Sequence, residues 1–572
     1  MLIQRRQAAS STSLNQAFHP ILDQVIRQRG ISSSEELTTQ AQHLLHYNLF
    51  KDIDVASQLL ANAVINKRAI CIVGDFDADG ATSTALCILA LRAMGHTNVS
   101  FIVPNRFDYG YGLTSPVVEL AHQQGAELIV TVDNGISSID GVNTAKALGI
   151  EVVVTDHHLP AEQLPAADAI VNPNQVDCDF PSKAIAGVGV AFYVMTALKN
   201  TLQQMDYFSH NTITPPNMAN FLDIVALGTV ADVVALDKNN RILVHQGIAR
   251  IRSGRTRPGI LALLNVANKN FRKCCTTDIG FVLGPRLNAA GRLEDMSQGI
   301  ECLISDDSNQ CAVLAAQLDG LNQSRREIEA SMREDANTAL AQLDLTGDLK
   351  PSALVVYRSD FHQGVVGIVA GRLKEAHYRP TIVFADEDEY FIKGSARSID
   401  GVHIRDALAR VDALVPGLIK KFGGHAMAAG LSIAKQDLAK FSELLQQVVS
   451  ELLVDMPSEA ILYSDGELSS NDLSLETASL LKFAMPWGQQ FEEPVFDGEF
   501  ALVSQKIVGQ KHLKVVLQHG EQYIDGIAFN VNTDEWPNLQ AKRANVAYRL
   551  DINEFRGQTS VQLIILGIEA LA

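Results

Sequence analysis

No apolar run in the chain is long and uninterrupted enough to cross a bilayer, so no membrane-spanning helix is expected. The first residues, Met1 to Gln7, lead into a polar Ser/Thr-rich stretch and lack the apolar centre of a signal peptide. Cys-x-x-Cys pairs are missing too. The seven cysteines lie mostly in apolar segments, Cys71 and Cys87 among them, and read as reduced core thiols of a cytoplasmic protein. Positive charge is scarce. The net charge of −18 argues, taken alone, against a binder of polyanions. Two local patches run against that sum: Arg250, Arg252, Arg255 and Arg257, and then Lys506, Lys511 and Lys514 in a β-rich segment. The arginine run reads equally well as a solvated loop. Carboxylates that hold metals also lower the total without repelling a polyanion once the metals are bound.

At 572 residues the chain exceeds one core and suggests several domains. Residues 1–68 read as an N-terminal helical segment, with helix expected over 14–67. From 69 to 305 short apolar strands alternate with helices. Strands are expected at 69–74, 99–103, 127–132 and 151–155, and helices at 187–201 and 219–230. The strand runs are continuous rather than alternating, as in parallel strands covered on both faces. Residues 306–345 are polar, charged and free of proline, which suits a connecting helix or a surface helix of either neighbour. A second, smaller α/β unit occupies 346–455, with strands at 353–357 and 380–384 and a glycine-rich end. Residues 456–572 carry short alternating runs such as Leu513-Lys514-Val515-Val516-Leu517 and read as a small β-barrel of OB-fold size. The expected fold class is therefore α/β, two α/β domains joined by a long helix, plus a C-terminal barrel.

The densest chemistry lies at Asp75-Phe76-Asp77-Ala78-Asp79-Gly80, after the strand Ala69–Gly74. Three carboxylates at alternate positions repel one another unless a cation or a strong hydrogen-bond network offsets the repulsion. A calcium loop begins with the same pattern but needs a carboxylate at its twelfth position, where this chain has Leu86. A strand, an acidic turn and a helix instead make the geometry of an α/β active site. Two further strands end in Asp133-Asn134-Gly135 and Asp156-His157-His158, and Asp232 lies in an apolar stretch where an unpaired carboxylate is costly. Oxygen ligands with an imidazole suit Mg²⁺ or Mn²⁺. There are enough carboxylates for two ions, with Asp133, on the middle strand, as the bridge.

In this order these motifs, ending in Gly228-Thr229-Val230-Ala231-Asp232, resemble the DHH phosphoesterase superfamily. The loop Gly423-Gly424-His425 resembles its associated DHHA1 domain. With the connecting helix and the barrel, the full length resembles the single-strand-specific exonucleases of that superfamily. The resemblance implies that Asp75, Asp77 and Asp133 hold one metal and that Asp79, Asp133, His157 and Asp232 hold the second. His158 would touch phosphate, and Asp156 would orient an imidazole. Smaller members often open the first motif with histidine; Asp75 stands there in this chain.

A single strand needs positive charge for its backbone, aromatic faces for its bases and a tight pocket for a terminal phosphate. The expected contacts are Arg106, Arg286, Arg292, Ser395 and Arg397, each placed in a loop, together with Gly423, Gly424 and His425. Lys506, Lys511, Lys514, Phe529 and Tyr548 of the barrel are further candidates, the aromatics equally readable as core. A narrow space between the α/β domains would exclude duplex. The expected activity is 5′→3′ exonucleolytic hydrolysis of single-stranded DNA in recombination and repair. The alternatives are an oligonucleotide or cyclic-dinucleotide phosphodiesterase and a non-catalytic DNA scaffold. The resemblance also suggests single-strand-binding protein and a repair helicase as partners of a monomer.

Overall fold

The computed structural model describes residues 2–8, 13–14, 18–105, 111–341, 351–454 and 459–571. The chain forms two compact units. One comprises Ile3–Gly320 with Leu462–Ala572, and the other Leu321–Ile461 with the extreme N-terminus.

In the first unit, strand β1 (Leu2–Arg5) is followed by helices α1 (Pro20–Gln28) and α2 (Ile53–Ile65). The continuous helix expected over 14–67 is not formed. Between α1 and α2 the chain makes only 3₁₀ turns at Ser34–Leu37, Ala41–His43 and Tyr47–Leu49. The backbone there is served by distant side chains: Asn239 accepts from Leu45 N (3.1 Å), and Gln246 donates to the Thr39 carbonyl (2.6 Å). Such tertiary partners replace the next helical turn.

A parallel sheet follows, built from β2 (Ile70–Gly74), β3 (Val99–Ile102), β4 (Leu128–Val132), β5 (Glu151–Thr155) and β6 (Ala169–Val171). The intervening helices are α3 (Ala78–Ala93), α4 (Ser115–Gln123) and α5 (Ile139–Ala147). The strand order is β3-β2-β4-β5-β6. β2 and β4 are buried on both faces, which is why their sequences are unbroken apolar runs. The order reverses beside β2, and a crevice at such a switch point, outside the carboxyl ends of the strands, is where ligands bind in open α/β sheets. Short β6, not expected from the sequence, completes the edge. Helix α3 packs against α6 (Gly187–Gln204) and α8 (Leu222–Ala231) and is buried nearly all round, so its sequence shows no polar stripe. A short α7 (Tyr207–His210) lies between those two helices, and α9 (Lys238–Arg252), α10 (Pro258–Val266) and α11 (Thr276–Asp278) follow α8. A π-helical turn (Ile279–Leu283) runs directly into α12 (Gly284–Leu293), and α13 (Ser297–Ile304) closes this set.

Helix α14 (Ser308–Ala341) carries the chain into the second unit. That unit has β7 (Leu354–Tyr357), α15 (Val366–His377), β8 (Thr381–Asp386), β9 (Phe391–Arg397), α16 (Ile404–Leu414), β10 (Ile419–Gly424), β11 (Ala428–Ala434) and α17 (Leu438–Leu452). Its sheet order is β10-β11-β9-β8-β7, parallel only between β7 and β8. Phe384 and Phe441 meet edge to face in its core.

The chain returns to the first unit through β12 (Ile461–Ser464), which pairs with β1, and α18 (Leu475–Ala484). Strands β13 (Phe496–Val508), β14 (His512–His519), β15 (Gln522–Ala528), β16 (Arg543–Phe555) and β17 (Gln558–Leu571) close a barrel in the order β13-β14-β15-β17-β16. Leu513, Val515 and Leu517 point inward at alternate positions. Tyr548 fills the barrel core, whereas Phe529 is exposed. Lys514 pairs with Asp525 at 3.0 Å. The arginine run ends α9 and leads to α10, with Arg252 Nε donating to the Cys274 carbonyl (2.7 Å).

Candidate metal centre and nucleic-acid interface

Three adjacent strand ends and one helix end deliver the acidic residues to one place. β2 leads to Asp75 and Asp77, β4 to Asp133, β5 to Asp156, His157 and His158, and α8 to Asp232. β4 lies between β2 and β5, so Asp133 is central. Ligand atoms of Asp75, Asp77 and Asp133 lie within 4.8 Å of one another. So do those of Asp79, His157 and Asp232, and those of Asp133, His157 and His158.

Each side chain is held by local backbone. Asp77 caps α3: its Oδ1 accepts from Asp79 N (2.9 Å) and Gly80 N (3.0 Å). Asp79 accepts from Gly187 N (2.6 Å) and Val188 N (2.9 Å) at the start of α6, where the helix end favours negative charge. Asp133 takes φ +61°, a left-handed conformation that costs energy outside glycine and turns its carboxylate inward. Asp156 accepts from His157 N, His158 N and Ile136 N, and its Oδ1 lies 2.7 Å from His158 Nδ1.

The electrostatics are those of a cation site. Burial, then the neighbouring Asp77, pushes Asp79 up to about 7. Burial, then Asp79, holds both Asp133 and Asp232 well above the carboxylate range. Burial opposes ionisation of His158, but its hydrogen bond to Asp156 and that carboxylate's charge carry it up to about 9. Asp156 is lowered despite its burial because His158 bonds it. Asp133 Oδ1 stands 3.0 Å from His157 Nε2, and Asp232 Oδ2 stands 3.5 Å from it. Yet both oxygens are buried without a hydrogen bond. Converging carboxylate and imidazole ligand atoms, with Asp133 Oδ1 and Asp232 Oδ2 buried and unsatisfied, fit Mn²⁺ or Mg²⁺.

Four residues to which sequence reasoning gave no role complete the site. Asn288 on α12 accepts from Ala78 N at 2.7 Å and so caps the acidic turn from outside. Gly187 leaves room for Asp133: a Cβ there would sit 2.7 Å from the Asp133 Cβ. Asn134 donates to the carbonyls of Val73 (3.0 Å) and Val132 (2.9 Å), tying the ends of β2 and β4 together. Tyr111 reaches the Asp133 carbonyl (3.3 Å) and stands edge-on to Phe76 and His158. The contacts of all four depend on the fold.

The substrate candidates are distributed between the units. Arg106 lies outside the described residues. Arg286 and Arg292 are on α12, not in a loop, because the π turn and α12 form one continuous helical run. Arg286 is buried, donates to the Val282 carbonyl (2.8 Å) and pairs with Asp319 of α14 (2.7 Å). Ser395 and Arg397 are on strand β9 of the second unit, also not in a loop, since β9 runs antiparallel between β8 and β11. Arg397 Nη1 donates to Ser395 Oγ (3.1 Å) and the Ala396 carbonyl (2.8 Å), and burial lowers its guanidinium from its ordinary value. Gly423 and Gly424 end β10, and His425 N donates to the Ala428 carbonyl (2.8 Å) in the turn toward β11.

Comparison with known proteins gives matches over most of the length. The DHH family N-terminal domain matches residues 69–229, the DHHA1 domain 350–451 and the RecJ OB domain 464–567. The single-stranded-DNA-specific exonuclease RecJ of Dickeya dadantii is 53% identical over 563 residues, 98% of each chain. Its counterpart in Escherichia coli is 51% identical over 565 residues, again 98% of each. A crystal structure of RecJ with Mn²⁺ from Thermus thermophilus is similar at 26% identity with a TM-score of 0.78, covering 97% of this chain and 76% of that one.

Proposed function

Since the chain belongs to the RecJ family of single-stranded-DNA-specific exonucleases, we propose that it hydrolyses single strands from the 5′ end, releasing mononucleotides at the centre described above. It is a metal-dependent exonuclease with Mn²⁺ or Mg²⁺ as cofactor. The observation that carries the residue assignment is the convergence of buried, unsatisfied carboxylate oxygens on His157 Nε2.

Asp75, Asp77 and Asp133 hold one ion, and Asp79, Asp133, His157 and Asp232 hold the other. Bound divalent metal supplies charge stabilisation to a phosphoryl group and an acidified water. The protein contributes position. Asp77 and Asp79 spend hydrogen bonds on helix ends, which locks their carboxylates before substrate arrives. Asp156 orients His158, which faces the scissile phosphate. On the second unit, Ser395 and Arg397 form a hydroxyl-and-guanidinium pair suited to a terminal phosphate. Arg106, Arg292, Gly423, Gly424 and His425 are further strand contacts. Arg286, committed to Asp319, we assign instead to holding α12 against α14.

The polarity, the count of two ions, a monomeric state, and contacts with single-strand-binding protein and a repair helicase are part of the same reading and rest on family membership. A cytoplasmic location is supported by seven free, buried thiols, which suit a reducing compartment. No described helix is long and apolar enough to cross a membrane.

The test uses 5′-labelled single strand, matched duplex, dinucleotide and cyclic dinucleotide, each with Mn²⁺ or with chelator. Mononucleotides released from the long single strand only, and only with metal, is the expected result. Preference for the dinucleotides, or turnover in chelator, overturns it. Asp133→Ala is expected to abolish turnover while strand binding persists, and near-parental turnover would refute the central role of Asp133.

A further inference from the structure

Two residues with no part in the reading above are unusual. Val233 adopts φ +62°, costly for a β-branched residue, and is 63% exposed. Phe281 is 72% exposed although Ile279 and Leu283 of the same π-helical turn are buried. π turns and strained backbone gather at functional sites. Both side chains line one pocket of about 310 Å³, with Val230, Trp487, Gln489 and Arg549 in its walls. All of these residues belong to the first unit.

The pocket has a mostly apolar lining rather than a phosphate cradle. Its acids are already engaged: Glu493 pairs with Arg549 and accepts from Thr277 Oγ1 at 2.7 Å, and Glu492 lies 3.3 Å from Arg6 and 3.6 Å from Arg29. What remains for an occupant is an aromatic and aliphatic slot with an amide at its edge. Val230 and Val233, which flank the proposed ligand Asp232 in the chain, both line the pocket, so it opens at the end of α8. A second pocket of about 320 Å³ shares Thr277, Trp487, Glu493 and Arg549 with the first and continues to Phe529 and to Ile564 of β17.

We propose that this groove receives unstacked bases of the single strand between the metal centre and the barrel, with Phe281 as the face on which the first of them stacks. The inference rests on the nuclease reading above. Stacking on an aromatic side chain is sequence-tolerant because every base has a π face. It would let the protein hold a strand despite its negative net charge, through bases rather than phosphates.

Phe281→Ala and Phe281→Trp test it, since so exposed a side chain adds little to folding; thermal melts check that both variants fold. With oligothymidylate, Phe281→Ala is expected to raise KM by about tenfold, with kcat little changed, and to weaken binding in chelator by a similar factor. Phe281→Trp restores parental values. On a strand made abasic at the nucleotides nearest the 5′ end, the difference between parent and Phe281→Ala disappears. Parental binding by Phe281→Ala, or the same loss on the abasic strand, overturns the proposal. A parent protein that does not degrade single strands at all overturns the nuclease reading instead, and the two failures are thus told apart.

Discussion

Asn288→Ala removes one hydrogen bond, and its cost can be worked from the site. Asn288 Oδ1 accepts from Ala78 N at 2.7 Å, and Ala78 is 1% exposed. Ala78 is the first residue of α3, so no intrahelical carbonyl serves its N–H. Truncating Asn288 leaves that donor buried and unpaired, a cost of about 1–3 kcal/mol. If the acidic turn keeps its shape, the whole cost falls on stability. If the turn relaxes to expose the N–H, Asp75 and Asp77 leave their positions, and metal binding must restore them. The cost then reappears as metal affinity weakened by roughly 5- to 150-fold, at 1.4 kcal/mol per tenfold. The two readouts share one total. Denaturant unfolding without metal measures the first, and Mn²⁺ titration by calorimetry measures the second. Turnover at limiting Mn²⁺ is expected to fall and to recover at high Mn²⁺. A variant with parental stability and parental Mn²⁺ affinity would refute the capping role.

Gly291→Ala is expected to be more damaging, because its Cβ would be driven into the Phe76 carbonyl and push the acidic turn away; a soluble, folded variant with parental turnover contradicts this. Arg29 and Asp465 form a buried bidentate pair, at 2.5 and 2.8 Å, that ties α1 to the segment entering the barrel. Arg29→Ala, which strands Asp465, is expected to destabilise the first unit by about 3–5 kcal/mol in urea unfolding, and a loss below about 1 kcal/mol would rule the pair out as an anchor. Burial lowers His96 below its ordinary value, so the unfolded chain takes up the proton first. The His96 contribution is therefore complete above about pH 6.5 and is lost as pH falls through the folded value; His96→Gln is expected to flatten that part of the stability–pH curve, and an unchanged slope would contradict it.

Much of the chemistry was legible because it is written in local pattern. Asp75 to Gly80 follow an unbroken apolar strand, and that, with Leu86 at the twelfth position, separates an α/β acidic turn from a calcium loop. The alternation Leu513, Val515, Leu517 announced a barrel wall. Other readings failed where a residue's surroundings come from far away. Arg286 looked like a free loop arginine, but Asp319, the start of α14 and the π turn before it turn it into a buried anchor. Tyr548 was readable both as a base contact and as core, and barrel closure decides for core. The helix expected over 14–67 broke because α9 supplies partners to its backbone.

The sequence by itself determined the kinds of element, the residue types at the strand ends, and hence a site for hard divalent cations. Periodicity and ligand chemistry are properties of short segments. Tertiary structure alone decided which carboxylates come within ligand distance of one another, because that depends on β4 lying between β2 and β5. It also decided that Asn288, 210 residues away in sequence, caps the turn carrying the first aspartates. And it placed an exposed Phe281 in one pocket wall with Val230 and Val233 from the end of α8, a pocket that no segment encodes alone.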